Sequence, residues 1–307
     1  MASDGAVTLN IRPEFENPAV EEAVIGDVER RLSLWERISN MDPVRKLSVL
    51  LLLVVSWELY TQLGDINELM FPTFSATAKA LVSAFVNEGL LQNVWNSLRL
   101  LFVGYCIGIG IAAVLVVLGV WTRFGGDLLT TLTAMLNPLP AIALLPLAMI
   151  WFGLGEQAII FTLLHSIIWP VALNTHAGFQ AVSETLRMVG RNYGLSGLSY
   201  IFKILVPAAF PAILTGLRIG WAFAWRTLIA AELVFGGQVQ DTSGGLGAEG
   251  SNAGGLGWII FANQMENQTP YVFAGLFTVI IVGILIENGI FRNIEDRTIR
   301  KWGMQKA

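Results

Sequence analysis

Residues Glu184 to Pro207 read ETLRMVGRNYGLSGLSYIFKILVP, a polar and basic interruption in an otherwise very apolar chain. Gly194 suits a tight or left-handed turn at an element end, because it lacks the Cβ that such a backbone would crowd. Leu195-Ser196-Gly197 then caps a short amphipathic segment in which Leu198, Ile201, Phe202 and Leu205 recur at helical spacing. Pro207 is expected to open the next helix, where its missing N–H costs nothing. A short helix of this kind at a membrane surface suits docking into a groove on a soluble partner. An ordinary amphipathic connector is the competing reading.

The chain around this stretch is too apolar for a soluble domain. Of its 307 residues 54% are hydrophobic and 14% charged, with a mean hydropathy of +0.61, where soluble chains carry about 25% charge. It is a membrane protein. The net charge is −4 and the basic residues are clustered, so no nucleic-acid footprint is present. The single cysteine, Cys106, lies inside an apolar run, which leaves neither a disulfide framework nor a metal-ligand cluster. His165 and His176 would share nearly one face of a continuous helix but stand about 16 Å apart along its axis. They cannot share a metal and are read as pathway or packing histidines; no cofactor is expected.

Residues 1–43 are polar and acidic up to Arg30-Arg31 and lack the basic-then-apolar order of a signal peptide. They are expected to form a cytoplasmic tail, with an interfacial helix around Leu32, Leu34, Trp35 and Ile38. A merely solvated tail is the alternative. Runs of about twenty apolar residues, the length that crosses a bilayer, predict six spans near 47–63, 96–121, 129–152, 157–179, 208–234 and 271–290, inside a membrane domain of residues 44–292. Residues 293–307 follow as a second cytoplasmic tail. The third run contains Pro138, Pro140 and Pro146, whose freed backbone groups lipid cannot satisfy, so it is expected to line an interface or a pathway. With the N-terminus inside, the cytoplasmic segments hold fifteen Lys and Arg and the outside loops only Lys79. The 181–207 loop is thereby assigned to the cytoplasm and both termini with it.

Two segments fall outside. The 64–95 loop carries Phe71-Pro72-Thr73 and a periodic stretch from Thr77 to Leu91, expected to be helical. The 236–257 loop repeats Gly-Gly-Leu-Gly at 244–247 and 254–257. No Lys-Ser/Thr pair follows it and no strand precedes it, so it is no phosphate-binding loop. It is read as a flexible loop ending at Trp258, an interfacial anchor. With no nucleotide-binding domain in view, the chain is not expected to be an enzyme or to hydrolyse ATP, and no catalytic residue is assigned.

The spacing Gly194-x9-Ile204-x-x-Pro207 resembles the cytoplasmic coupling loop of permease subunits in bacterial ATP-binding-cassette importers. Pro138-Leu-Pro-Ala-Ile-Ala-Leu-Leu-Pro146 with Trp151-Phe-Gly-Leu-Gly155, Asn96-Ser-Leu-Arg99 with Gly104, Gly190 to Gly197, and Gly216-Leu-Arg218 leading to Ala231-Glu232 are similar to the nitrate/sulfonate/taurine/bicarbonate branch. The resemblance covers about residues 45–303. It implies an all-α, polytopic type I importer permease in the bacterial inner membrane, either a homodimer with a second copy or paired with a related permease chain. It also implies two cytoplasmic ATP-binding subunits, an external substrate-binding protein and import by alternating access. Arg191, Gly194, Leu195, Ser196, Gly197, Ile204 and Pro207 are then the expected contacts to the ATPase. Two departures stand out: the position of Glu-Ala-Ala reads Met188-Val189-Gly190, and the 236–257 loop is longer than usual.

Charges within a membrane are costly, about 2.5–3.5 kcal/mol each on insertion scales, and the fifth span carries Arg218, Arg226 and Glu232. Helical geometry forbids their pairing with one another, so each needs a partner on another helix, a wet cavity or a passing anion. Together with Pro138, Pro140 and Pro146 they form the expected pathway set, with Arg218 or Arg226 as counter-charge to a small anion. A structural role at an interface is the alternative. A secondary transporter would show matched broken spans in two halves and paired acids at mid-membrane; one strongly proline-broken span is evident, and Glu58, Glu232 and Glu287 read as unpaired. A membrane enzyme would need a catalytic cluster, and none is apparent.

Overall fold

The computed structural model describes residues 41–64, 66–235 and 254–301; the expected interfacial helix and most of the glycine-rich loop lie outside them. The chain divides into two compact units, residues 1–55 and 56–307. The described part of the first is the start of helix α1 (Asp42–Leu63), where Arg45 pairs with Asp42 and Leu47 and Val49 to Leu53 are exposed. Among the described residues the second unit consists of helices joined by short turns and contains no strand.

Four helices are long and apolar enough to cross a bilayer: α1, α3 (Leu90–Trp121), α6 (Glu156–Gln180) and α11 (Thr269–Arg300). Two bent pairs bring the number to six where each pair counts as one span. Helix α4 (Arg123–Leu136) and the segment Ala141–Phe152, whose α-helical part is α5 (Leu145–Phe152), meet at 91°; α8 (Gly197–Ala208) meets α9 (Phe210–Phe235) at 78°. The run predicted as one third span is therefore broken at Asn137 to Pro140. Pro146, by contrast, sits in the first turn of α5, where a missing N–H is harmless.

Helix α6 is the core element, and glycines bring its neighbours close. A Cβ at Gly104 or Gly108 of α3 would stand 3.1 Å from Leu163 or 2.8 Å from Ile167, and one at Gly216 or Gly220 of α9 would stand 2.8 Å from Asn174 or 3.1 Å from Val171. Each pair is spaced Gly-x-x-x-Gly, the spacing that lets membrane helices pack by van der Waals contact. Leu163, Ile167 and Ala172 are consequently inaccessible.

Helix α2 (Phe74–Asn87) is capped by Thr73. Trp57 of α1 packs its ring 5.5–5.7 Å from Phe71, Phe74, Phe273 and Phe277 and donates to the Pro72 carbonyl. The periodic stretch to Leu91 is two helices, because Gly89 takes a left-handed φ of 68° between them. Trp258 does not end a loop; it lies in a ten-residue helix, α10 (Leu256–Met265), too short to span. Helix α11 continues past 292 to Arg300 through π-helical turns, burying Phe291 and Ile299.

Candidate functional site

The segment that interrupts the apolar chain folds as two short helices. Ser183 caps α7 (Glu184–Asn192), and Gly194, at φ 69°, ends it. The Gly194 N–H bonds to the Arg191 carbonyl at 2.9 Å and the Leu195 N–H to the Gly190 carbonyl at 3.0 Å, the paired pattern of a Schellman ending. Arg187 reaches back to the Phe179 and Val182 carbonyls at 2.6 and 3.1 Å, placing positive charge at the C-terminal end of α6. Gly190, where a Cβ would stand 2.9 Å from the Tyr200 ring, lets α7 and α8 cross closely.

Three local expectations change here. Ser196 precedes α8 but its hydroxyl makes no cap bond, and Gly197 turns with φ 56°. The apolar stripe of α8 splits, with Ile201 and Leu205 buried and Leu198 and Phe202 exposed. Pro207 lies within α8, where the preceding π turn, with Val206 N–H bonded to the Ile201 carbonyl, absorbs its missing donor. The break falls at Ala209, and α9 begins at Phe210 with Pro211 in its first turn. The exposed apolar surface thus comes from both helices: Leu186, Met188, Val189 and Tyr193 of the first turn-helix unit with Leu198 and Phe202. Arg191 is exposed beside it, 4.0 Å from Glu184.

The proline break forms a cavity of about 380 Å³, lined by Asn137 to Ile142, His165, Trp169, Phe223 and Arg226. Trp169 Nε1–H donates to His165 Nδ1 at 3.0 Å, so His165 Nε2 carries the hydrogen and donates to the Leu139 carbonyl at 3.1 Å. His165 therefore satisfies a carbonyl freed by the break, a packing role on the cavity wall. Ser166 donates to Thr227 at 2.9 Å nearby. Arg226 is exposed in this cavity and no carboxylate pairs with it among the described residues.

Of the six residues expected to share a pathway, Pro138, Pro140 and Arg226 meet here; Pro146, Arg218 and Glu232 do not. Arg218 is held by two carboxylates of α11, Glu287 and Glu295, each at 2.9 Å. Its partner is thus on another helix, and Glu287 is not unpaired. Glu58 likewise accepts from the Ser75 hydroxyl at 2.8 Å. Glu232 is 6% exposed and accepts from Ser97 Oγ at 2.7 Å and from the Gly257 N–H at 2.8 Å. Ser97 in turn accepts from the Leu256 N–H, and Asn93 and Asn96 donate to the Gly254 carbonyl. This clasp ties α3, α9 and α10 together, and it explains the second Gly-Gly-Leu-Gly: a Cβ at Gly255 would stand 2.1 Å from the Glu232 carboxylate and one at Gly257 2.6 Å from Glu232 Cβ. Among the described residues no cluster of His, Cys, Asp and Glu could hold a metal ion.

Comparison with known proteins adds the family. Residues 104–300 match the model of the binding-protein-dependent transport system inner membrane component. An ABC transporter permease protein of Methanocaldococcus jannaschii is 30% identical over 85% of this chain and 93% of its own length. The nitrate import permease NrtB of Synechocystis is 29% identical over 80% of this chain and 86% of its own. The taurine transport system permease TauC of Escherichia coli is 27% identical over 85% and 90%.

Proposed function

The chain belongs to the family of binding-protein-dependent transport system inner membrane components, and from that premise we propose that it forms the pathway of an importer for a small anion, with Arg226 as the counter-charge. Membership makes the chain a multi-pass membrane permease, a transport subunit that works with ATP-binding subunits and a soluble substrate-binding protein. Two bent pairs are present where the sequence suggested one broken span, but the family speaks against an ion-driven carrier, and the acids it would need, Glu58, Glu232 and Glu287, are occupied by Ser75, Ser97 and Arg218.

The observation that carries the anion reading is the guanidinium of Arg226 exposed in the proline-break cavity with no carboxylate partner among the described residues. A guanidinium stays protonated within a membrane and must be solvated or matched. An anion matches it transiently, and the nitrate and taurine permeases among the relatives are named for such cargo. The fifteen-to-one distribution of basic residues supports cytoplasmic termini and a cytoplasmic 181–207 segment. Its exposed apolar face, with Tyr193, Leu198 and Phe202 beside Arg191, then meets the ATP-binding subunits. A second copy of the chain covers the broken α4–α5 pair, whose freed backbone lipid cannot satisfy.

The test is uptake of taurine, alkanesulfonates and nitrate into vesicles bearing the full complex, with permease abundance measured alongside. Arg226→Gln is expected to lower uptake by about tenfold or more, the scale of one lost charge-assisted contact, at normal abundance, and Arg226→Lys to retain part of it. Undiminished uptake by Arg226→Gln, or its loss from the membrane, overturns the assignment.

A further inference from the structure

Beyond Ile286, α11 is wound differently from its apolar part. Glu287 to Arg292 and Asp296 to Arg300 form π turns on either side of a short α-helical stretch. Their i→i+5 bonds put more residues in each turn than the 3.6 of an α-helix, so side chains four apart line up in columns. One column, Glu287, Phe291, Glu295 and Ile299, faces the protein: Phe291 and Ile299 are buried and both glutamates hold Arg218. The column opposite carries Arg297 and Lys301, both exposed. Of the two columns between, one carries Arg292, Asp296 and Arg300, and the other carries Ile290 and Ile294, which are 49% and 37% exposed.

Charges along this stretch do not cancel. Glu287 and Glu295 are committed to Arg218, and Asp296 to Arg300 at 2.9 Å, so every carboxylate between 287 and 301 already has its cation. Arg292, Arg297 and Lys301 are exposed and have no carboxylate partner among the described residues. Unmatched cations thus stand beside exposed isoleucines. Depth decides what meets them. The apolar part, Thr269–Ile286, has 18 residues, about 27 Å at 1.5 Å each, close to the roughly 30 Å of a bilayer's hydrocarbon core. The π-helical stretch therefore begins where the hydrocarbon ends.

We propose that this end of α11 is a binding site for a phospholipid with an anionic headgroup. Water would solvate the cations but leave Ile290 and Ile294 exposed to it, and a free phosphate would match the cations and pass the isoleucines by. An anionic phospholipid satisfies both. Its headgroup lies on the arc of Arg292, Arg297 and Lys301, where charge-assisted hydrogen bonds to phosphate oxygens form, and its acyl chains run along Ile290 and Ile294 toward the exposed Ile284 and Leu285. The arc is a short form of the basic cluster that binds acidic lipids at the end of a membrane helix. In the orientation proposed above, the site belongs to the cytoplasmic leaflet.

The test reads which lipid touches the isoleucine column and involves no uptake, so it stands apart from the anion reading. In the assembled complex with Cys106, the chain's single cysteine, changed to Ser, Ile294→Cys carries an NBD fluorophore; Ile280→Cys, at an exposed mid-span position of the same helix, is the reference. Nanodiscs contain phosphatidylglycerol and phosphatidylcholine in equal amounts, with a nitroxide on a small fraction of the acyl chains of one lipid or the other. Quenching by labelled phosphatidylglycerol divided by quenching by labelled phosphatidylcholine is expected to be about fivefold higher at 294 than at 280, the worth of one cation at an anionic surface. Combining Arg292→Gln, Arg297→Gln and Lys301→Gln should bring the ratio at 294 down to that at 280, and Lys301→Arg should leave it high. Arg297→Gln with Lys301→Gln, expected to lower it at least twofold, carries the test if the triple variant fails to reach the membrane. Soluble glycerol phosphate should change nothing. A ratio at 294 that ignores the loss of the cations, or that equals the ratio at 280 from the start, overturns the site. So does release by glycerol phosphate, which would make it a phosphate site, or an NBD at 294 that neither lipid quenches, which would mean that a protein partner or water covers the face.

Discussion

The clasp around Glu232 makes a prediction that contact energies alone would miss. The carboxylate receives the Ser97 hydroxyl and the Gly257 N–H, both buried. Removing the acceptor strands two buried donors at about 1–3 kcal/mol each, so Glu232→Ala is expected to cost about 2–6 kcal/mol. Gly255→Ala should cost a similar amount for a different reason. Gly255 has φ −90° and ψ −171°, a backbone that alanine adopts freely, so the added methyl is opposed only by the carboxylate 2.1 Å from it. The carboxylate must leave, and its bonds go with it. Once Glu232 is alanine that conflict no longer exists, so the double variant should be no worse than either single one. The expected coupling is about 3 kcal/mol. The assay is the thermal unfolding midpoint of the purified complex in lipid nanodiscs. At about 2–4 °C per kcal/mol for chains approaching this size, each single variant should fall by roughly 10 °C and the double by no more. Losses that add, or a neutral Gly255→Ala, would refute the steric account of the clasp.

Two further outcomes follow from named contacts. Gly194→Ala places a Cβ on a backbone at φ 69°, where a side chain costs about 1–2 kcal/mol; transport-linked ATP hydrolysis should drop while membrane abundance holds, and Gly194→Asp should uncouple more severely. Full coupling in both would reduce the segment to a connector. Arg218→Gln leaves Glu287 and Glu295 without the cation that each contacts at 2.9 Å, so abundance should fall and Arg218→Gln with Glu295→Gln should recover part of it. Normal abundance with slow uptake for the single variant would return Arg218 to the pathway.

Legibility in the sequence followed the range of the physics. Proline's missing N–H and glycine's freedom act within a few residues, which is why the broken third span and the turn at Gly194 could be expected from Pro138, Pro140 and the loop composition. Charge pairing acts across the fold. Arg218 finds Glu287 and Glu295 on a helix far along the chain, and no local pattern names that partner over any other carboxylate. Helix α10 escaped for a third reason: its ten residues are too few for a hydropathy window set to a bilayer's width. The repeated Gly-Gly-Leu-Gly was visible, yet its meaning depends on backbone donors that a sequence does not display.

The Gly-x-x-x-Gly pairs are the missed signal with the widest consequence. Gly104 and Gly108 seat α3 on one side of α6, and Gly216 and Gly220 seat α9 on it through Asn174 and Val171. Helices pressed backbone to side chain in this way move as one body, because packed interiors are not continuously deformable. One end of that body holds the Glu232 clasp; the other joins α8 at the 78° bend beside α7. On the proposed reading, a partner that displaced α7 and α8 would act on α9 and α6 together, and the nearest break in the helical ladder is at Asn137 to Pro140.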